Sequence, residues 1–107
     1  MMDWQNFMGK TLAECGTLAK EIPDTISGFE QMGKAAKTEG LLGLKTKEFM
    51  ALGIAVATRC DSCIGFHVQA LIRLKTTREE LCEALAMATY MGGGPSFAFS
   101  AKALKAF

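Results

Sequence analysis

The stretch that decides the reading of this chain runs from residue 46 to residue 67: Thr46-Lys47-Glu48-Phe49-Met50-Ala51-Leu52-Gly53-Ile54-Ala55-Val56-Ala57-Thr58-Arg59-Cys60-Asp61-Ser62-Cys63-Ile64-Gly65-Phe66-His67. Its first half predicts a helix capped by Thr46 and reaching about Thr58, with an interior from Phe49 to Ala57 that is apolar on every face. A helix hydrophobic all round is expected to be buried all round. A chain of 107 residues buries a limited fraction of its own surface, so this helix predicts contact with another copy. The second half predicts a helix from about Asp61 to Leu74. At about 100° per residue, Cys63 lies about 60° from Cys60, and His67 returns to within about 20° of Cys60.

Outward from this centre the period is helical almost throughout, and no run alternates as a strand. A first helix is expected over about Trp4 to Lys20, interrupted by Pro23. Asp24 or Thr25 is the expected cap of a second helix running to about Thr38, with Gly40 as its stop and Leu41 to Leu44 as a connector. Thr77-Arg78-Glu79-Glu80 has the form of a capping box, opening a fifth helix that reaches about Met91. Gly92-Gly93-Gly94-Pro95 ends it, and Pro95 or Ser96 opens a last helix to about Phe107. The expectation is an all-α protomer of five to six helices, a single domain over residues 1–107, assembled as a homo-oligomer.

Composition narrows the function classes. Half of the residues are hydrophobic, and 12 basic against 11 acidic residues leave a net charge of +1. No strong field is implied, so nucleic acid and anionic membrane are poor candidates for partners. The longest apolar run, Phe49 to Ala57, is too short to span a bilayer. The N-terminus lacks a basic region followed by an apolar core, so no signal peptide is visible and a cytoplasmic location is expected. There, thiols are kept reduced, and a Cys-x-x-Cys points to catalysis or metal binding rather than to a structural staple.

The chemistry gathers on Glu48, Cys60, Cys63 and His67. Helix residues three apart have Cα atoms about 5 Å apart, within the range that a disulfide tolerates. With Asp61 or Ser62 as the N-cap, Cys63 falls in the first turn, where unpaired amides favour a thiolate. His67, one turn later, can take the Cys63 proton directly or through one water. Glu48 tops a stripe through Leu52, Ala55 and Arg59, and can hold His67 in one tautomer. Each piece also has an ordinary role: cysteine as a small core residue, histidine as a satisfied side chain, Glu48 as a first-turn acid favouring the helix dipole. Cys15 and Cys82 have no partner at a useful spacing, and both read as small buried hydrophobes. The triple glycine lacks the lysine and preceding strand of a phosphate loop.

The pattern Glu-x11-Cys-x-x-Cys-x3-His resembles the AhpD-like alkylhydroperoxidase group of the carboxymuconolactone decarboxylase family at all four positions. Leu44 to Leu52, Thr77 to Leu85 and Met91 to Ser96 resemble the family's surrounding stretches, so the likeness covers about Leu41 to Phe107. It implies an all-helical protomer in a trimer or a hexamer, with peroxidase or disulfide-reductase chemistry and no cofactor. It further implies Cys63 as the peroxide-attacking thiolate, Cys60 as the resolving and more exposed thiol, and His67 with Glu48 as the proton relay. The expected partners are a hydroperoxide and a dithiol reductant, lipoyl or thioredoxin-like, exchanging at Cys60. The better-known members carry a second histidine immediately before the second cysteine, where this chain has Ser62. The decarboxylase branch lacks the cysteine pair, so the dithiol argues against lactone decarboxylation. Two other readings stand beside this one: a zinc site with Cys60, Cys63, His67 and Glu48 as ligands, and a non-enzymatic oligomeric module whose disulfide senses redox state.

Overall fold

A computed structural model describes residues 2–107. It is all-α, with six helices: α1 (Trp4–Glu21), α2 (Pro23–Lys37), α3 (Leu44–Ala57), α4 (Asp61–Arg73), α5 (Arg78–Gly92) and α6 (Gly94–Ala106). They fall into two units, α1 with α2 and, from Leu42 to Phe107, α3 through α6.

In the first unit, Asp3 caps α1 by accepting from the Asn6 amide at 3.3 Å. α2 begins two to three residues earlier than a cap at Asp24 or Thr25 would place it. Pro23 occupies its first turn, Ile22 is its N-cap, and no side chain caps it. Proline suits that position because its missing N–H is one that the helix leaves unpaired anyway.

The second unit carries the chemistry. α3 packs along α4 and α5 along α6, while α3 also meets α5 and α6, and α4 meets α6. Its centre is Leu52, Val56, Ile64, Val68, Leu71 and Leu81, all but wholly buried. Each such side chain contributes roughly 1.5–3 kcal/mol through removal from water. On α3 the buried stripe is Glu48, Leu52, Ala55 and Val56. Met50 and Ile54, on the other side, are 57% and 64% exposed. The expectation of burial all round is therefore not met within the chain, because α4, α5 and α6 cover one side of α3 only.

The helix junctions give the unit its geometry. α3 ends at Ala57 with Thr58 as its C-cap, and Arg59 follows in the left-handed region with φ of 56°. The Arg59 amide bonds to the Val56 carbonyl at 3.2 Å and the Cys60 amide to the Ala55 carbonyl at 3.0 Å. This is a Schellman ending built without glycine. α4 ends in the same way, with Lys75 at φ 62° and bonds of 3.0 and 3.1 Å from Lys75 and Thr76 to the Ile72 and Leu71 carbonyls. At the third junction, Gly93 takes φ 74° and ψ −156°, a combination open essentially to glycine alone. A Cβ at the neighbouring Gly92 would overlap the Ser96 side chain. The triple glycine is thus a hinge shared by α5 and α6, with Gly92 ending one helix and Gly94 beginning the other.

The expected capping box at the start of α5 is present. The Glu80 amide donates to Thr77 Oγ1 at 3.1 Å, and the Thr77 amide donates to Glu80 Oε1 at 2.9 Å. Lys45 of α3 bonds the same carboxylate at 3.2 Å. The Thr77 amide first, and Lys45 second, hold the Glu80 carboxyl below its ordinary pKa. Among the described residues, no helix is long and apolar enough to cross a membrane.

Candidate active site

The site begins at the α3–α4 junction. Cys60 itself is the N-cap of α4, with extended backbone angles, and its sulfur accepts from the Cys63 amide at 3.2 Å. The expected caps Asp61 and Ser62 instead occupy the first two helical positions. Because Cys60 stands outside the helix proper, the angular relation expected of a helix face applies to Cys63 and His67 but not to Cys60. Both backbone groups of Cys60 are held: its amide by Ala55 and its carbonyl by the Ile64 amide, at 3.0 and 2.9 Å.

Cys63 is the third residue of α4, in the first turn as expected. The two cysteines form a disulfide, with Cα atoms 5.3 Å apart. That separation is ordinary for a disulfide. Reduction and reclosure therefore need little backbone movement.

His67 follows one turn after Cys63. Its Nδ1 lies 2.6 Å from Glu48 Oε2, joining α4 to α3. A carboxylate can only accept, so Nδ1 carries the proton and Nε2 of the neutral ring is left as an acceptor. The Glu48 side chain is 11% exposed, whereas that of His67 is 30% exposed. The acid is thus shielded while the imidazole reaches the surface. α3 begins at Leu44 after Gly43, without a side-chain cap. Thr46 is therefore inside the helix, and Glu48 stands in its second turn. This removes the reading of Glu48 as a first-turn acid, because the dipole's influence fades beyond that turn.

Cys63 and His67 line one hollow of about 230 Å³ with Ala51, Ile54, Ala55 and Thr58. All four residues singled out by their spacing are thus brought together: Glu48 with His67, Cys60 with Cys63, and Cys63 with His67 across the hollow. Two larger hollows lie elsewhere in the unit, about 610 Å³ beside Met50, Ile54, Met87 and Met91, and about 490 Å³ between α5 and α6. Neither is lined by any of these four residues.

Among the described residues, no group of three or more histidines, cysteines, aspartates or glutamates is arranged to hold a metal ion. The two sulfurs bond to each other and Nδ1 bonds to Glu48, so these donors face one another rather than a common centre. Cys15 and Cys82 are free and exposed, not buried. Small apolar residues follow whatever surface the fold offers, and at these two positions it offers none that is covered.

Two features of the site escaped sequence reasoning. The Ser62 hydroxyl lies 3.4 Å from the Cys60 sulfur. Lys102 of α6 pairs with Asp61 at 3.4 Å while lying over the Phe99 ring, 4.5 Å from its centroid. The first was open to a reader who took Cys60 as the cap. The second joins residues 41 apart, which no local spacing marks.

The model of the carboxymuconolactone decarboxylase family matches residues 23–106. This chain belongs to that family. The match takes in α2 and so extends further toward the N-terminus than the resemblance that begins at about Leu41. A crystal structure of an apo carboxymuconolactone decarboxylase family protein from Legionella pneumophila has 45% sequence identity. It superposes with a TM-score of 0.93, over 97% of this chain and 93% of that one. An uncharacterised protein of Cupriavidus necator is 40% identical over 92 residues, 86% of this chain and 81% of its own length. A second uncharacterised relative, from Haemophilus influenzae, is 32% identical over 98% of this chain and 93% of its own length. The family thus accounts for the six-helix fold, and this member carries on it a Cys-x-x-Cys disulfide and a His67–Glu48 pair.

Proposed function

We propose that this member of the family is an AhpD-like thiol oxidoreductase that reduces hydroperoxides and is recycled by an external dithiol. The observation that carries the reading is the shared hollow: Cys63, half of a disulfide, and His67, oriented by a shielded Glu48, line the same small space. In the reduced protein, His67 Nε2 takes the Cys63 proton. The Cys63 thiolate attacks the distal peroxide oxygen, the O–O bond breaks, and the alcohol leaves with the proton held by His67. Cys63 is then a sulfenic acid. Cys60 attacks its sulfur, the disulfide forms, and hydroxide leaves as water. A dithiol, lipoyl or thioredoxin-like, returns two electrons by exchange and is itself closed to a disulfide. Glu48 stabilises the charged imidazolium between the two proton transfers.

The same reading includes assembly with further copies, as a trimer or hexamer, in the cytoplasm. The exposed Met50 and Ile54 on the outer side of α3, beside Met87 and Met91, support it. Contiguous apolar surface of this kind marks an interaction site more often than bare surface.

The test is peroxide-dependent oxidation of dihydrolipoamide by the pure protein, run beside Cys63→Ser. Consumption by the native protein and none by the variant is the expected result. Equal consumption by the two removes the assignment. A native protein that consumes no peroxide, but changes oligomeric state on oxidation, moves the reading to a redox-sensing module.

A further inference from the structure

The disulfide is not symmetric in its surroundings. Two donors converge on one sulfur: the Cys63 amide at 3.2 Å and the Ser62 hydroxyl at 3.4 Å, both on Cys60. In the oxidised pair neither sulfur bears a proton, so the hydroxyl of Ser62 must be the donor. Among the described residues, no hydrogen-bond donor sits on the Cys63 sulfur. Cys63 lines the hollow with His67, and Cys60 does not. One sulfur is thus solvated by the protein as a thiolate would be, while the other faces the space from which a reactant arrives.

In thiol–disulfide exchange the sulfur that is attacked and the sulfur that leaves have different needs. The first must be reachable, and the second leaves faster the better its thiolate is stabilised. We infer that Cys60 is the thiolate this site is built to release, with Ser62 as its hydroxyl donor, and that an incoming reductant thiolate attacks Cys63. This reverses the entry point that the family resemblance implies, and it rests on the dithiol reading above for the direction of electron flow.

The step balances. One thiol of the reductant loses its proton to solvent and its thiolate attacks Cys63 Sγ. A new S–S bond forms there, the Cys60–Cys63 bond breaks, and its electron pair stays on Cys60 as a thiolate held by the Cys63 amide and Ser62. The second reductant thiol gives its proton to His67 and closes onto its own partner sulfur. Cys63 is expelled as a thiolate and takes that proton from His67. The reductant leaves as a disulfide, two electrons poorer. Ser62, which stands where the better-known alkylhydroperoxidase members carry a second histidine, becomes a working part of the site. It supplies a neutral donor to Cys60 where a histidine would supply a titratable one.

The test compares single-cysteine proteins. In Cys63→Ser the backbone amide remains, so the Cys60 thiol keeps both donors. Its pKa, read from the pH dependence of iodoacetamide alkylation, is expected to lie below that of Cys63 in the Cys60→Ser protein. Adding Ser62→Ala to Cys63→Ser is expected to raise it by on the order of half to one unit, the worth of one hydrogen bond. Ser62→Thr, which keeps the hydroxyl, should restore it. In the otherwise native protein, Ser62→Ala should slow reduction of the disulfide by dithiothreitol by about twofold to threefold, that shift scaled by a Brønsted coefficient of about one half. Acid-quenched reaction with glutathione should place the first adduct on Cys63. A Cys63 thiol that titrates below Cys60, no effect of Ser62→Ala, or an adduct on Cys60 would overturn the inference. None of these readouts uses peroxide, so a protein that consumes no peroxide removes the peroxidase reading while leaving this one standing.

Discussion

The junctions before α4 and before α5 use one backbone device for two purposes. Each ends a helix with a left-handed non-glycine residue, Arg59 or Lys75, in a Schellman arrangement. Each then opens the next helix with a side chain that accepts from the third amide, Cys60 from Cys63 or Thr77 from Glu80. At the second junction a residue, Thr76, separates the helix ending from the cap. At the first, Cys60 serves as both, its amide tied to the end of α3 and its sulfur to the start of α4. Where the cap is a hydroxyl, the returning Glu80 closes a box that satisfies both partners. Where the cap is a sulfur, the partner three residues on is a second sulfur, and the pair can open and close. The difference teaches that the redox site is a helix cap in which the capping atoms are reactive.

The largest effects expected of this comparison separate chemistry from capping. Cys63→Ser should abolish peroxide-dependent oxidation of dihydrolipoamide, while Cys60→Ser, whose Cys63 sulfenic acid is still open to the dithiol, should keep a slower turnover. Thr77→Ala, at the matching position of the other junction, should leave turnover within about twofold and lower stability by about 1 kcal/mol, measured by urea unfolding. A Thr77→Ala protein that loses activity in the folded state would break the division between the two caps.

Next in size is the support behind the first cap. Glu48→Gln keeps a side chain of nearly the same volume against His67 but removes the charge that favours the imidazolium. Turnover should fall by about a hundredfold, the lower end of what acid–base assistance supplies. The thiol-independent fold should be retained, as checked by circular dichroism. A smaller fall would mean that His67 needs only to be positioned.

How much of this was open to the sequence depends on the range of each interaction. The capping box lies within four residues, and Thr77 with Glu80 could be read directly. Helices α1, α4 and α6 begin or end within about two residues of expectation because their apolar period is local. The spacing of Glu48, Cys60, Cys63 and His67 was legible because two consecutive helices hold them. What escaped reading was nonlocal or unusual in chemistry. Arg59 and Lys75 adopt angles that glycine signals in most sequences, so neither helix ending had its usual mark. A thiol is not a common N-cap, and Asp61 and Ser62 were stronger candidates on composition. Gly43 opens α3 at Leu44 without a capping side chain, so the expected start at Thr46 fell too late. The exposure of Cys15, Cys82, Met50 and Ile54 depends on which surfaces other helices cover, and residue type does not encode that.

The two left-handed residues offer a smaller, purely structural test. A left-handed conformation places a penalty of roughly 1–2 kcal/mol on a residue with a Cβ, and glycine avoids it while losing roughly 0.5–1 kcal/mol to chain entropy. Lys75→Gly should therefore stabilise the protein by about 0.5–1 kcal/mol, read as a higher urea midpoint with unchanged slope. Arg59→Gly should stabilise by a similar amount. If it also changes the rate at which dithiothreitol opens the disulfide while Lys75→Gly does not, the first junction's rigidity is part of its chemistry. Equal silence in both would reduce Arg59 to a helix ending.

The smallest expected effect is a pH dependence confined to the second junction. The Thr77 amide, and then Lys45, stabilise the ionised Glu80, so its folded pKa lies below the value in the unfolded chain. With a depressed folded pKa, the unfolded state binds the proton more readily than the folded one across the interval between the two values. The contribution is fully present above the unfolded carboxylate value, declines as pH falls, and is gone below the folded value. Glu80 is exposed at the surface, so salt screening keeps the effect small. Glu80→Gln should remove that acid slope in stability while changing little near neutrality, since the amide can still accept from Thr77. Stability measured by urea between pH 3 and 7 is the check, with the native protein losing more than the variant toward the acid end. An identical slope in the two proteins would place the pH dependence elsewhere, and Lys45 would then serve the junction by its packing rather than by its charge.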